Sequence, residues 1–156
     1  MDDVTLARAL HVLAILHWIG GVSLVTLVLL PGLSKSVPAD QRLRLFETIE
    51  GHFGRQARVS TLLAGLSGLY MIWKLDAWGR FLLASYWWMH AMVLVWAIFT
   101  VVLFIAEPLF LHRWFHARAE RDPEGTFRIV HRLHVALLTL SAVTTAAAVL
   151  GAHGAL

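Results

Sequence analysis

Charged residues divide this chain into four long stretches free of Asp, Glu, Lys and Arg. There are 26 such residues between Arg8 and Lys35, 15 between Arg58 and Lys74, 26 between Arg80 and Glu107, and 24 after Arg132. A helix rising about 1.5 Å per residue needs roughly 20 apolar residues to cross the hydrocarbon of a bilayer. The second stretch is short, but Arg55, Arg58 and Lys74 can extend their cationic tips along the helix toward water and bring it to span length. The pattern predicts an all-α membrane protein, an antiparallel four-transmembrane-helix bundle forming a single domain over 1–156, with helices at 6–31, 56–75, 81–108 and 129–152. Leu43, Phe46, Ile49 and Phe53 recur at helical spacing among charges, which predicts a short interfacial helix over 40–54 leading into the second span. Pro31 and Pro38 interrupt the chain before it, and Pro108 marks the inner end of the third span.

Composition agrees with lipid as the solvent. Hydrophobic residues make up 58% and charged residues 15%, far from the soluble norm of roughly half and a quarter. The net charge of +3 comes from basic residues scattered between apolar runs, so they read as membrane flanks and exclude a nucleic-acid-binding patch. With no cysteine, disulfides, thiolate-bound zinc, iron–sulfur clusters and covalently attached haem are all excluded. The lead-in carries Asp2 and Asp3 against Arg8, and the apolar run after it exceeds a signal-peptide core, so the first segment reads as a retained helix.

Lysine and arginine set the expected orientation. Ten of the 13 flank the connections between spans 1 and 2 and between spans 3 and 4, leaving Arg8, Lys74 and Arg80 on the other side. This predicts a multi-pass protein of the bacterial inner membrane with both termini in the periplasm. Trp73, Trp78, Tyr86, Trp87 and Trp88 form an outer aromatic belt, with Trp114 on the inner side.

Nine histidines are the remaining source of chemistry, because an ionisable side chain within hydrocarbon is costly unless it meets a partner. Counted from each span's centre, His11 and His90 fall at matching depth toward the outside, His17 near the midplane, and His131 and His134 toward the inside, where His52 can approach. Two neutral imidazoles facing each other across an apolar bundle suit a haem b, one per chain from His11 and His90, with His52 and His134 as ligands of a second. Arg8 and Arg80 outside, and Arg55, Arg58 and Arg132 inside, would receive propionates; Gly20 and Gly21 would let a flat ring approach, or simply let helices pack closely. A bare metal site, or a structural or proton-handling role, remains open for the same pair. No single helix carries histidines 13 or 14 residues apart, the separation that stacks two haems along one helix pair. His112, His116 and His153 read as interfacial or solvated, with no ligand role.

The run Arg8-Ala-Leu-His11 through His17-Trp-Ile-Gly20-Gly21 to Pro31, the stretch Trp88-Met89-His90-Ala91-Met92 and the segment Phe127-Arg128-Ile129-Val130 resemble the CopD-like and HemJ-like small membrane proteins. The resemblance implies a four-helix protein associated with haem or copper. In HemJ-like protoporphyrinogen oxidases a lysine follows the third-helix tryptophan and histidine; Met92 stands there in this chain. A copper-handling reading would use His11, Met89, His90 and Met92, soft ligands suited to Cu(I). The expected function is a haem b cytochrome passing electrons between a membrane quinone pool or a partner subunit and a periplasmic redox protein. Copper transport or loading and tetrapyrrole oxidation are the alternatives. Expected partners are the lipid bilayer, a quinone, and a second copy of the chain or a larger complex.

Overall fold

The computed structural model describes residues 2–155; Met1 and Leu156 lie outside the described residues. The fold is all-helical, and no strand occurs among the described residues. Four long helices carry it: α1 (Asp3–Ser36), α2 (Ala39–Lys74), α3 (Ala84–Ala119) and α4 (Pro123–Ala152). Three of them, α1, α3 and α4, are long and apolar enough to cross a membrane. α2 includes both the expected interfacial segment and the expected second span as one unbroken helix. The glycines at 51 and 54, which weaken a helix at roughly 1 kcal/mol each, do not break it, because Phe46, Phe53 and Ala57 on the same helix are packed against neighbours.

The termini follow from local chemistry. Asp2 caps α1 by accepting from the Val4 amide, and Asp122 caps α4 by accepting from Gly125 at 2.8 Å, just ahead of Pro123 in the first turn. Asp76, at φ 47°, turns the chain out of α2 into a short 3-10 segment, Ala77–Leu82; aspartate tolerates this left-handed conformation better than most residues.

α1 and α2 share the most extensive interface. Asp3 accepts from Tyr70 at 2.8 Å and pairs with Lys74 at 3.0 Å; His11 meets Ala64 and Ser67; Phe53 fills the space over Gly21. A Cβ at Gly21 would collide with the Phe53 ring, so the flat ring that this glycine admits is a phenyl group. Trp18 packs edge-on against Phe99, centroids 4.7 Å apart, joining α1 to α3 in a cluster with Ala14, Val22, Ala64 and Val95. A second cluster, Val25, Leu30, Leu33, Leu43, Phe46, Phe127 and Val130, closes the end where α1 connects to α2 and α3 to α4.

The outward surface is apolar, unlike that of a water-soluble fold, and small hydroxyl residues join the apolar side chains of the interior. Thr26, Ser60, Thr61, Thr126, Ser141 and Thr144 are buried, whereas Leu13, Leu16, Leu27, Leu66, Leu94 and Val143 are among many exposed apolar side chains. Small hydroxyl residues bring helices close and return their own hydrogen bonds to the preceding turn, as Thr26 does to Val22 and Ser141 to Leu137. At Gly65 the missing side chain admits the Trp96 indole, whose Nε1 donates to Thr61 O at 2.9 Å. Gly65→Val should cost about 1–3 kcal/mol by displacing that indole, visible as a lowered unfolding temperature in detergent.

Candidate metal centre

Two helices contain a π-wound stretch, and each precedes or contains a proline: Val25–Leu29 before Pro31 in α1, and Val102–Leu111 around Pro108 in α3. In π winding the amide of residue i meets the carbonyl of residue i−5, as Leu30 does with Val25. Pro108 has no amide hydrogen, so the carbonyl of Leu103 loses its donor. Arg58 of α2 replaces it: Nε donates to Leu103 O at 2.9 Å, and Nη2 of the same guanidinium pairs with Glu107 at 3.2 Å. Gly54, one turn earlier on α2, leaves room for the Glu107 carboxylate, whose oxygen lies 3.9 Å from where a Cβ would stand.

The π stretch, Val102–Leu111, winds with more residues per turn than an α-helix and so changes the rotation of everything beyond it. The first turns after it carry His112 and His116, spaced i, i+4 on one face of α3, opposite Glu47 of α2. The Glu47 carboxylate spans both rings: Oε1 lies 3.4 Å from His112 Nδ1, and Oε2 lies 2.8 Å from His116 Nε2. One ligand atom from each residue falls within 4.8 Å of the others, a set able to hold a metal ion. One turn farther along α2, Glu50 Oε1 lies 3.3 Å from His134 Nε2 of α4. The His134 ring is set by its Nδ1 contact to Val130 O at 2.9 Å and by the edge of Phe46, centroids 5.6 Å apart. Glu47, Glu50, Gly54 and Arg58 share one face of α2, so a polar seam runs from the helix-connection end to the guanidinium. Beyond it the Trp96 indole seals the seam at Thr61 and Gly65.

The histidines expected to hold haem have separate surroundings. His11 is half-buried and turned toward α2, Nδ1 lying 2.9 Å from Ala64 O and 3.1 Å from Ser67 Oγ, with its ring over Gly68. His90 is exposed, its ring edge-on to Phe81 at 5.2 Å. Trp88 and Met89, the two residues before it, are the buried ones, so its helix face turns outward. As placed, His11 is turned toward α2 while His90 is exposed on α3. The same rotation separates the copper candidates, with Met89 buried against Trp88 and Ala147 while His90 is exposed. His17 is exposed; His52 is exposed and bonded to Thr48 of its own helix; His131 is half-buried. Among the expected propionate partners, Arg8, Arg55 and Arg132 are exposed, Arg80 lies over the Tyr86 ring at 5.5 Å, and Arg58 is engaged at Leu103 and Glu107.

Of the expected inner cluster, His134 alone has a carboxylate partner, and that partner is Glu50. The residues the structure gathers, Glu47, His112 and His116, include two read from sequence as solvated. The signal that could have found them is the His-x3-His spacing itself, a two-ligand face on any helix. No family model, curated protein or solved structure matches this chain.

Proposed function

We propose that this is a four-pass protein of the bacterial inner membrane that holds a divalent transition-metal ion at the end of an antiparallel bundle, through Glu47, His112 and His116. The observation carrying the reading is one carboxylate and two imidazoles from two helices whose ligand atoms lie within 4.8 Å of one another. Two histidines and one glutamate are a ligand set used for zinc, and three protein ligands leave a fourth position for water or substrate. Borderline imidazole nitrogens with a carboxylate favour Zn²⁺, Co²⁺, Ni²⁺ or Fe²⁺ over Cu(I), which prefers sulfur.

Support for the fourth pass comes from α2 itself. Val59, Leu62, Leu63, Leu66, Leu69 and Trp73 are exposed along its second half, an apolar outer surface. With both termini periplasmic, the arginine-rich connections and the metal ligands beside them face the cytoplasm. Purified protein stripped with chelator and titrated with Zn²⁺ should bind tightly and stoichiometrically; no binding above that of a lipid-only control overturns the reading. A reporter that fluoresces only in the cytoplasm should stay dark at either terminus, and a bright fusion contradicts the topology.

A haem b cytochrome exchanging electrons with a quinone and a periplasmic partner is the second reading, favoured by one observation at His11. A carbonyl can only accept, so Nδ1 of His11 donates to Ala64 O and the neutral ring keeps its lone pair on Nε2. That is the tautomer and anchoring common to ligating imidazoles. His11 would hold such a group and supply axial nitrogen, while the redox chemistry would belong to the iron. Protein from haem-replete cells showing no Soret band removes this reading and leaves the first untouched.

A further inference from the structure

We propose that a second copy of this chain docks against α1 along the strip Leu6, Leu10, Leu13, His17, Gly20 and Leu24, with the two His17 rings hydrogen-bonded to each other across a two-fold axis. The docking stands or falls separately from any metal at Glu47, His112 and His116.

All six positions of the strip are exposed. Their spacing alternates four and three residues, the a and d pattern by which two helices mesh along a seam. From Leu6 to Leu24 the strip runs about 27 Å, close to the depth of a bilayer's hydrocarbon. It ends where the π winding at Val25–Leu29 changes the rotation of α1. Leucines alone would suit lipid as well as a partner, but His17 would not. It lies about 13 Å of helix beyond Arg8, inside the uncharged stretch, where hydrocarbon offers its ring no hydrogen bond. His52, His134 and His153 each turn Nδ1 to the carbonyl four residues earlier, and His11 reaches α2. His17 is exposed and meets no partner among the described residues.

A second copy supplies what this ring lacks. A neutral imidazole carries one N–H donor and one lone-pair acceptor, so one ring can donate to the other when both stand at the same depth. Copies inserted with the same topology present α1 in parallel, and a two-fold axis along the membrane normal sets His17 opposite His17. A single polar residue on an otherwise apolar seam also fixes its register, as at an a position of a coiled coil. Gly20 is the next position of the strip, and a Cβ there would meet nothing within 4 Å. The partner helix can therefore close over the seam beside the paired rings.

The chain has no cysteine, so single introduced cysteines report contact directly. Full chains carrying Leu10→Cys, Leu13→Cys or Leu24→Cys, oxidised in native membranes with copper phenanthroline, should form disulfide-linked dimers. Val12→Cys on another face of α1 and Val143→Cys on α4, both also exposed, should not. Absence of crosslinks along the strip, or equal crosslinking at Val12 and Val143, overturns the proposal. Energy transfer between fluorescently labelled copies in lipid vesicles then measures the association itself. His17→Phe keeps a ring but neither donor nor acceptor, and should weaken association about 3–10-fold, the usual worth of one interhelical hydrogen bond in lipid. His17→Asn, which keeps both groups, should retain most of it. Association unchanged in His17→Phe overturns the imidazole pairing. Every substituted side chain is exposed, so none of these variants removes a core contact.

Discussion

His116→Ala is expected to weaken Zn²⁺ binding by about 100-fold or more while leaving the helical circular dichroism unchanged. Altering groups that merely orient a ligand costs about 10–100-fold in affinity, and removing one of three ligands should reach the upper end of that range or exceed it. His116 makes the shorter of the two contacts to Glu47, 2.8 Å against 3.4 Å for His112. Its ring is also the less exposed, 43% against 61%, so it carries more of the preorganisation. His112→Ala should therefore cost less than His116→Ala, and the double variant little more than His116→Ala alone, since a lone carboxylate binds zinc weakly. The fold should survive because neither histidine belongs to a buried cluster and both lie on the outer turns of α3. Calorimetric titration of the four proteins distinguishes this ordering from a surface site at which either histidine suffices.

The all-helical fold was legible because the constraint is solvent, not detail. Three uncharged runs of span length have few alternatives to membrane-crossing helices, and the structure places α1, α3 and α4 over them. The interfacial segment was expected to lead into the second span, and the structure joins the two without a break in α2 despite the glycines at 51 and 54. Only packing of Phe46 and Phe53 against α1 and its neighbours shows why the helix continues. The histidines were less legible still. Depth along a helix can be counted from sequence, but rotation about its axis at roughly 100° per residue decides whether a side chain faces a partner or the exterior. His90 has the expected place on its helix and is exposed beside buried Trp88 and Met89. On α3 the π stretch changes that rotation again before His112, so an ideal helical wheel could not place His112 or His116. Glu47 needed tertiary contact to be found at all, since nothing in its own neighbourhood separates it from the other carboxylates of an amphipathic segment.

The second large effect is expected at Arg58, through the backbone of a different helix. Arg58→Ala takes the donor from the Leu103 carbonyl that Pro108 has already left without an amide. A buried polar group left unpaired costs about 1–3 kcal/mol. The ion pair to Glu107 contributes under about 1 kcal/mol on top, because its side chains are 31% and 42% exposed. A total near 2 kcal/mol should appear as a lower unfolding temperature in detergent. Arg58→Lys should recover the ion pair but not the backbone bond, because a single ammonium lacks the planar fork that reaches two acceptors at once. The decisive comparison adds Pro108→Ala, which restores an amide hydrogen to α3. In that background the Leu103 carbonyl, or its neighbour if the π winding relaxes to α, regains a partner from within its own helix, and Arg58→Ala should cost about 1 kcal/mol less than in the native chain. Equal costs in both backgrounds would mean that the guanidinium acts on Glu107 alone, and that the proline and the arginine are neighbours without being coupled.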